Sequence, residues 1–197
     1  YLAGLDAPRV PRAPSVADAL AALRMLWQPV ELFPFTDDTD RGVMLAAMLT
    51  ACLRASLPTA PGFAFDAPAA GSGKTLLGKV LGILATGESP AVLPPAGERD
   101  DEARKRLFAA LRDGRRVLLW DNVREPLGGA AIDAFLTAPT FADRVLGVSE
   151  TAVLPNRALF VATGNNLRLV GDTCRRVFVA RIDPQDERPY GRRFAFD

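Results

Sequence analysis

The chain of 197 residues contains no histidine and only two cysteines. The absence of histidine excludes acid–base catalysis by imidazole and removes most zinc sites. The two cysteines, Cys52 and Cys174, lie far apart in apolar or mixed stretches. We therefore expect two reduced thiols and neither a disulfide nor a metal site.

The chain also lacks an excess of one charge and any long apolar run. Lys and Arg number 24 and Asp and Glu number 23, so no overall field attracts the chain to DNA or to a membrane surface. Contact with nucleic acid must then be local or arise on assembly. No apolar run approaches the ~20 residues that span a bilayer. We expect a cytoplasmic protein that has no membrane partner.

Residues 67–75 read Ala-Pro-Ala-Ala-Gly-Ser-Gly-Lys-Thr, which nearly matches the phosphate-loop pattern G-x-x-x-x-G-K-[ST]. Only Pro68 departs, at the first glycine. In such a loop, backbone N–H groups and a helix N-terminus surround a phosphate, the lysine reaches the outer phosphates and the hydroxyl binds Mg²⁺. The residues expected at the nucleotide are Ala70, Gly71, Ser72, Gly73, Lys74, Thr75 and Leu76.

The surroundings of this loop favour nucleotide binding over a chance turn of small residues. Residues 62–66 are typical of a buried strand, and residues 76–84 are typical of a helix. The order of strand, loop and helix is the one that the phosphate loop requires. We predict ATP as the ligand, with Mg²⁺ bound by Thr75 and Asp121.

Asp121 follows the apolar run 117–120, so a predicted strand delivers a carboxylate to its end. Such an acid can hold Mg²⁺ through water, although a simple strand-to-turn aspartate has the same pattern. In many ATPases that have a phosphate loop, a glutamate follows the metal-binding aspartate. Asn122 stands at that position here, and its amide can orient water but cannot accept a proton. Glu125 is the nearest other carboxylate, and we expect either Glu125 or a group from another chain to be the base.

Two further segments carry polar residues next to predicted strands. Residues 158–166 form an apolar run that ends in Gly-Asn-Asn, which is either an ordinary turn or an amide, Asn165, placed at the γ-phosphate. Arg175 and Arg176 precede the last predicted strand, 177–182. An arginine there either reaches the γ-phosphate of a neighbouring subunit or forms a salt bridge with Asp172 or Asp183.

The organisation along the chain predicts an N-terminal arm and a two-helix lead-in over residues 1–57. Ser15 is expected to cap the first helix, and Asp37 or Asp38 the second. The α/β core then occupies residues 58–197, where alternating strands and helices predict a parallel sheet covered on both faces. The first residue is Tyr1, and we interpret the chain as a piece of a longer protein whose C-terminal lid is absent or truncated.

Along the chain come, in this order, the phosphate loop, Asp121, a predicted hairpin over 144–154, Asn165 and the arginine pair. This order resembles that of the AAA+ class of ring ATPases over roughly residues 58–184. The hairpin, with its tip expected near Glu150 and Thr151, is similar to the pre-sensor hairpin of superfamily 3 helicases. Short stretches also resemble the ATPase domains of primase-helicase proteins of phages and integrated elements: Phe33-Pro34-Phe35, Phe65-Asp66-Ala67-Pro68, Asp121-Asn122-Val123, Leu146-Gly147-Val148-Ser149-Glu150-Thr151, Ala162-Thr163-Gly164-Asn165-Asn166 and Gly171-Asp172-Thr173-Cys174-Arg175-Arg176.

The resemblance implies a P-loop NTPase three-layer α/β sandwich and a motor that works as a homo-oligomeric ring. Lys74, Thr75 and Asp121 would take the ATP and Mg²⁺ roles, Asn165 the sensor role, and Arg176 or Arg175 the finger role. The activity implied is that of a DNA helicase or translocase, on single-stranded or duplex DNA, in replication. The alternative is an AAA+ remodelling or regulatory ATPase that acts on a protein partner, which the neutral charge and the acidic hairpin favour. A small-molecule kinase is a more distant alternative.

Overall fold

The computed structural model describes residues 11–97, 99–145 and 150–184, and this part of the chain forms five α-helices and seven strands. The helices are α1 (Val16–Trp27), α2 (Asp38–Leu53), α3 (Lys74–Thr86), α4 (Asp100–Arg112) and α5 (Ala130–Thr137). The strands are β1 (Gly62–Ala67), β2 (Val92–Leu93), β3 (Val117–Val123), β4 (Thr140–Arg144), β5 (Thr151–Pro155), β6 (Leu159–Asn165) and β7 (Val177–Arg181). The arm up to residue 10 and the segment 185–197, where the lid was expected to be truncated, lie outside the described residues.

Five strands form one parallel sheet in the order β2-β3-β6-β1-β7. The apolar runs of β1 and β6 explain this arrangement, since every residue of β1 and nearly every residue of β6 is buried. Strands that are buried on both faces carry continuous apolar runs instead of alternating ones. The prediction of a parallel α/β sheet is confirmed.

Alternate residues of β3 face two different helical layers. Leu119 points to α3, because a Cβ built on Gly78 of that helix would lie 2.6 Å from Leu119 Cδ1. Its neighbour Trp120 belongs to the core cluster that contains Phe108 of α4 and Ile132 of α5. Successive strand residues point to opposite faces. The sheet is thus the middle layer of three.

The helix α2 packs in the same unit as the sheet, which comprises the described residues from 33 to 184. It contacts α3 and β7 and begins at Asp37, whose carboxylate accepts from the backbone N–H of Asp40 at 2.9 Å. Arg54, which caps the C-terminal end of α2, is buried and donates to the carbonyl of Ala158 at 2.8 Å. The boundary predicted after residue 57 thus separates α2 from the elements on which it packs.

The described residues from 11 to 32 form the other unit. Its helix α1 carries the predicted cap: Asp18 N–H donates to Ser15 Oγ at 3.2 Å, and Ser15 N–H donates back to the Asp18 carboxylate at 2.8 Å. A single 3-10 turn, Gln28–Val30, follows α1 directly. The reciprocal cap satisfies two backbone N–H groups that a helix N-terminus leaves open.

The strands β4 and β5 form the antiparallel hairpin that the sequence predicts, but its tip lies elsewhere. Thr151 pairs with Arg144 inside the ladder, and Val145 N–H donates to the Glu150 carbonyl at 2.9 Å. The expected tip at Glu150 and Thr151 is therefore wrong. The ladder begins earlier than predicted because Phe141 and Asp143, on alternate positions of β4, are buried. The connecting residues 146–149 lie outside the described part.

Cys52 and Cys174 are both free and exposed. Within residues 11–97, 99–145 and 150–184, no helix combines the length and the apolar composition that crossing a bilayer requires.

The contact of α3 with β3 predicts opposite effects for two mid-helix glycines. Gly78→Ala adds a methyl group 2.6 Å from the fully buried Leu119, and overpacking of this kind costs about 1–3 kcal/mol, more than the gain in helix propensity. Gly42→Ala in α2 meets no atom within 4 Å and is expected to stabilise the protein by about 0.5–1 kcal/mol. Urea denaturation measures both changes. Equal stabilisation by the two alanines would contradict the close packing of α3 on β3.

Candidate functional site

The loop between β1 and α3 turns on two glycines with left-handed backbone. Gly71 has φ 78° and Gly73 has φ 99°, a region that residues with a Cβ rarely adopt. Gly73 also lies against Phe33, whose Cε1 would be 2.8 Å from an added Cβ. No side chain caps α3, so the first N–H groups of this helix face the loop without a capping acceptor. A helix N-terminus without a capping side chain can bind an anion.

The ammonium group of Lys74 lies inside this loop. Its Nζ donates to the carbonyl of Ala69 and to Ser72 Oγ, both at 2.9 Å, and the residue is 8% exposed. Burial lowers the pKa of Lys74, and the negative charges of Asp66 and Asp121 act in the opposite direction. The two acceptors leave the cation among neutral loop oxygens, and no carboxylate of the described residues contacts it directly. An anion in the loop would supply the missing opposite charge.

Asp121 lies at the same edge of the sheet and contacts Thr75 directly. Thr75 Oγ1 donates to Asp121 Oδ1 at 2.7 Å, so the two residues that the sequence assigned to one metal site are neighbours. A second hydroxyl, that of Thr163, donates to the same oxygen at 2.5 Å. The strand β3 is irregular here, with a shift of register between Trp120 and Val123. The end of β3 is held against both α3 and β6.

This pair of oxygen donors fits Mg²⁺. Magnesium prefers hard oxygen ligands and is usually bound by one or two carboxylates together with waters and substrate phosphates. A hydroxyl next to a carboxylate, beside a loop suited to phosphate, matches that pattern. In the described part of the chain, no group of three or more His, Cys, Asp or Glu side chains forms a metal cage. Thr75 would hold the ion directly, and Asp121 would hold it through water.

Amide side chains follow β3 and β6 at this edge. Asn122 has φ 60°, and its N–H donates to Thr163 Oγ1 at 3.1 Å. Asn165 pairs in register with Ala67, where the β1–α3 loop begins, and is exposed. Since β6 lies between β3 and β1, Asn165 is placed between the strand of Asp121 and the strand of the loop. The sensor role expected for Asn165 stays a prediction.

Glu125 lines a cavity of about 290 Å³ beside the end of β3. Asn122 and Trp120 line the same cavity, and the indole N–H of Trp120 is buried without a hydrogen-bond partner among the described residues. An unpaired buried N–H costs about 1–3 kcal/mol, and water in a cavity of this size can accept from it. The cavity therefore offers space for water between Asn122 and Glu125.

The arginine pair lies at the opposite edge of the sheet. Arg176 precedes β7, and its carbonyl accepts from the N–H of Gly62 at the start of β1, about 17 Å from the end of that strand. Arg176 donates to Asp172 at 3.2 Å and pairs with Asp133 at 3.1 Å. Asp172 was one of the two acids expected from the sequence, and Asp133 was not expected. Neither arginine is positioned to reach Lys74 or Asp121 of its own chain.

Sequence reasoning did not identify three residues that organise this site. Asp66 is buried one residue before the loop, pairs with Arg181 and accepts from Leu167 N–H at 2.9 Å. Arg181 also donates to Asn166 at 3.3 Å and so joins β7 to the end of β6. Thr163 is the third. A signal was present for Asp66 and Thr163, because each is a polar residue inside an apolar strand, as Asp121 is.

Fold and site together define an α/β protein with a five-stranded parallel sheet whose carboxyl edge gathers Lys74, Thr75, Asp121 and Asn165. Comparison of the chain with protein-family models and with curated proteins gave no match.

The two arginines are expected to differ in their structural contribution. Arg176 is 23% exposed and contacts two carboxylates, whereas Arg175 is 71% exposed and contacts Asp172 alone. Arg176→Ala should therefore lower the free energy of unfolding by about 1 kcal/mol, after allowance for solvent screening. Arg175→Ala should change it by less than about 0.5 kcal/mol. Urea titration of both variants tests this, and a larger loss for Arg175→Ala would contradict the assignment.

Proposed function

We propose that the chain is an ATP-binding and ATP-hydrolysing module with a P-loop NTPase fold of the AAA+ type. The observation that carries the proposal is the convergence of Lys74, Thr75 and Asp121 on one edge of a parallel sheet, with Thr75 and Asp121 in direct contact. A buried ammonium, an open helix N-terminus and a metal-binding carboxylate are the parts that phosphoryl chemistry needs.

Each side chain has a defined task in this proposal. The loop N–H groups and Lys74 bind the phosphates, and Thr75 and Asp121 hold Mg²⁺, which when bound neutralises charge on the outer phosphates. Asn165 orients the γ-phosphate and water. Asn122 can orient water but cannot take its proton, so Glu125 or a group from another chain acts as the base.

The distance of the arginine pair from the loop supports an assembly. An arginine at the amino edge of the sheet cannot complete the site of its own chain, but it can complete that of a neighbour. Arginine supplied in this way accelerates hydrolysis strongly. Arg175 suits this role better than Arg176, since Arg176 is engaged by two carboxylates. We propose a homo-oligomeric ring in which Arg175 acts on the adjacent nucleotide.

For the work that ATP drives, we propose DNA unwinding or translocation in replication. A ring channel needs only a few basic residues per subunit, so a net charge of +1 is compatible with this role. The alternative is remodelling of a protein partner. Glu150, next to the hairpin connection, and the absence of a charge excess are the observations that favour it.

Lys74→Ala is expected to abolish Mg²⁺-dependent ATP binding and hydrolysis, because it removes the ammonium group that lies within the loop. Lys79→Ala, on the same helix but outside the loop, is the matched control and should retain both. Calorimetric titration with ATP and steady-state phosphate release are the measurements, with circular dichroism to confirm folding. Normal turnover by folded Lys74→Ala would remove the nucleotide site from the account.

Single-stranded DNA is expected to raise the ATPase rate of the protein, and the stimulation should weaken with added salt because phosphate contacts release counterions. Steady-state turnover with and without DNA, at two salt concentrations, measures this. ATPase activity that no nucleic acid stimulates would favour the protein-remodelling alternative.

A further inference from the structure

Thr163 connects the two strands whose ends meet at the proposed metal site. It lies within β6, is 1% exposed, and its Oγ1 donates to Asp121 Oδ1 at 2.5 Å. Thr163 Oγ1 also accepts a hydrogen bond from the backbone N–H of Asn122 at 3.1 Å. These contacts span the point where regular pairing of β3 and β6 is interrupted. One hydroxyl therefore replaces part of the missing ladder.

The two hydroxyls around Asp121 bind only one of its carboxylate oxygens. Thr75 and Thr163 both donate to Oδ1, and no described residue donates to Oδ2. The rotation of the carboxylate is thereby fixed while one oxygen stays open. A hydroxyl has one proton and two lone pairs, so Thr75 can keep its bond to Asp121 and still offer a lone pair to an ion.

Thr163 also fixes the residue after Asp121. Asn122 has a left-handed backbone, with φ 60°, which is uncommon for a residue with a side chain. Its N–H is held by Thr163 Oγ1, and its side chain lines the cavity that Glu125 also lines. The orientation of both Asp121 and Asn122 thus depends on one buried hydroxyl.

We propose that Thr163 is a positioning residue that sets the Mg²⁺ affinity of the site by orienting Asp121 and Asn122. The inference rests on the proposed ATPase function and concerns a residue without direct contact to the ion. Side chains that orient metal ligands typically change metal affinity by 10–100-fold when they are removed. A purely structural threonine would instead affect stability alone.

Thr173 provides a matched control at the other edge of the sheet. It is fully buried and its Oγ1 donates to Asp133 Oδ1 at 2.8 Å, so it makes the same kind of contact away from the proposed site. Thr163→Val and Thr173→Val remove the hydroxyl with little change of shape. Thr163→Ser restores the hydroxyl without the methyl group. Thr163→Ala replaces the valine variant if that variant does not fold.

The experiment measures how ATP affinity depends on Mg²⁺ concentration, by calorimetry, and the affinity for Mn²⁺ in the presence of ATP, by electron paramagnetic resonance. For Thr163→Val we expect the half-saturating metal concentration to rise about tenfold, while ATP affinity without metal is unchanged. Thr163→Ser and Thr173→Val should stay within about threefold of the wild type.

The inference would be overturned if Thr163→Val depended on the metal in the same way as the wild type. A defect in Thr163→Ser or in Thr173→Val equal to that of Thr163→Val would also overturn it. A different result would contradict the proposed function itself. The wild-type protein would then show no ATP binding that depends on Mg²⁺, and the inference would fall with it.

Discussion

The candidate site depends on the hydrogen bond between Thr75 and Asp121. It joins the first turn of α3 to the end of β3, although β6 separates β3 from β1, the strand that precedes α3. This contact can form only because the strands are parallel, so that the end of β3 and the loop after β1 lie at one edge. The left-handed glycines then bring the helix N-terminus down to that edge. Backbone topology thereby places a hydroxyl, a carboxylate and a buried ammonium within one site.

The two edges of the sheet pair their charged side chains differently, and this difference has a functional consequence. The carboxyl edge holds Lys74 among neutral oxygens and pairs Asp66 with Arg181, which leaves Asp121 for a cation. The amino edge holds Arg176 between Asp133 and Asp172 and exposes Arg175. An arginine that faces outward from the amino edge is suited to the nucleotide of another copy. This arrangement supports the proposed ring, in which two chains share the site.

Much of the fold followed from the sequence because buried parallel strands appear as apolar runs. The runs before Asp121 and Asn165 predicted the strands, the order of the elements and the edge at which these side chains lie. Contacts between residues distant in sequence could not be predicted in this way. Nothing local indicates that Arg176 pairs with Asp133, or that Arg54 is buried against the carbonyl of Ala158 and thereby ties α2 to the sheet. The hairpin tip was misplaced because the burial of Phe141 and Asp143, which starts the ladder early, depends on α4 and α5. The roles of ATP, Mg²⁺, DNA and the ring remain predictions.

The most direct test of the central claim is a crystal structure of the protein with Mg²⁺ and a non-hydrolysable ATP analogue. The account predicts the triphosphate in the β1–α3 loop, with Lys74 on its outer phosphates. It also predicts the ion about 2.1 Å from Thr75 Oγ1, with Asp121 facing it through water. A nucleotide bound elsewhere, or an ion that does not contact Thr75, would contradict the account.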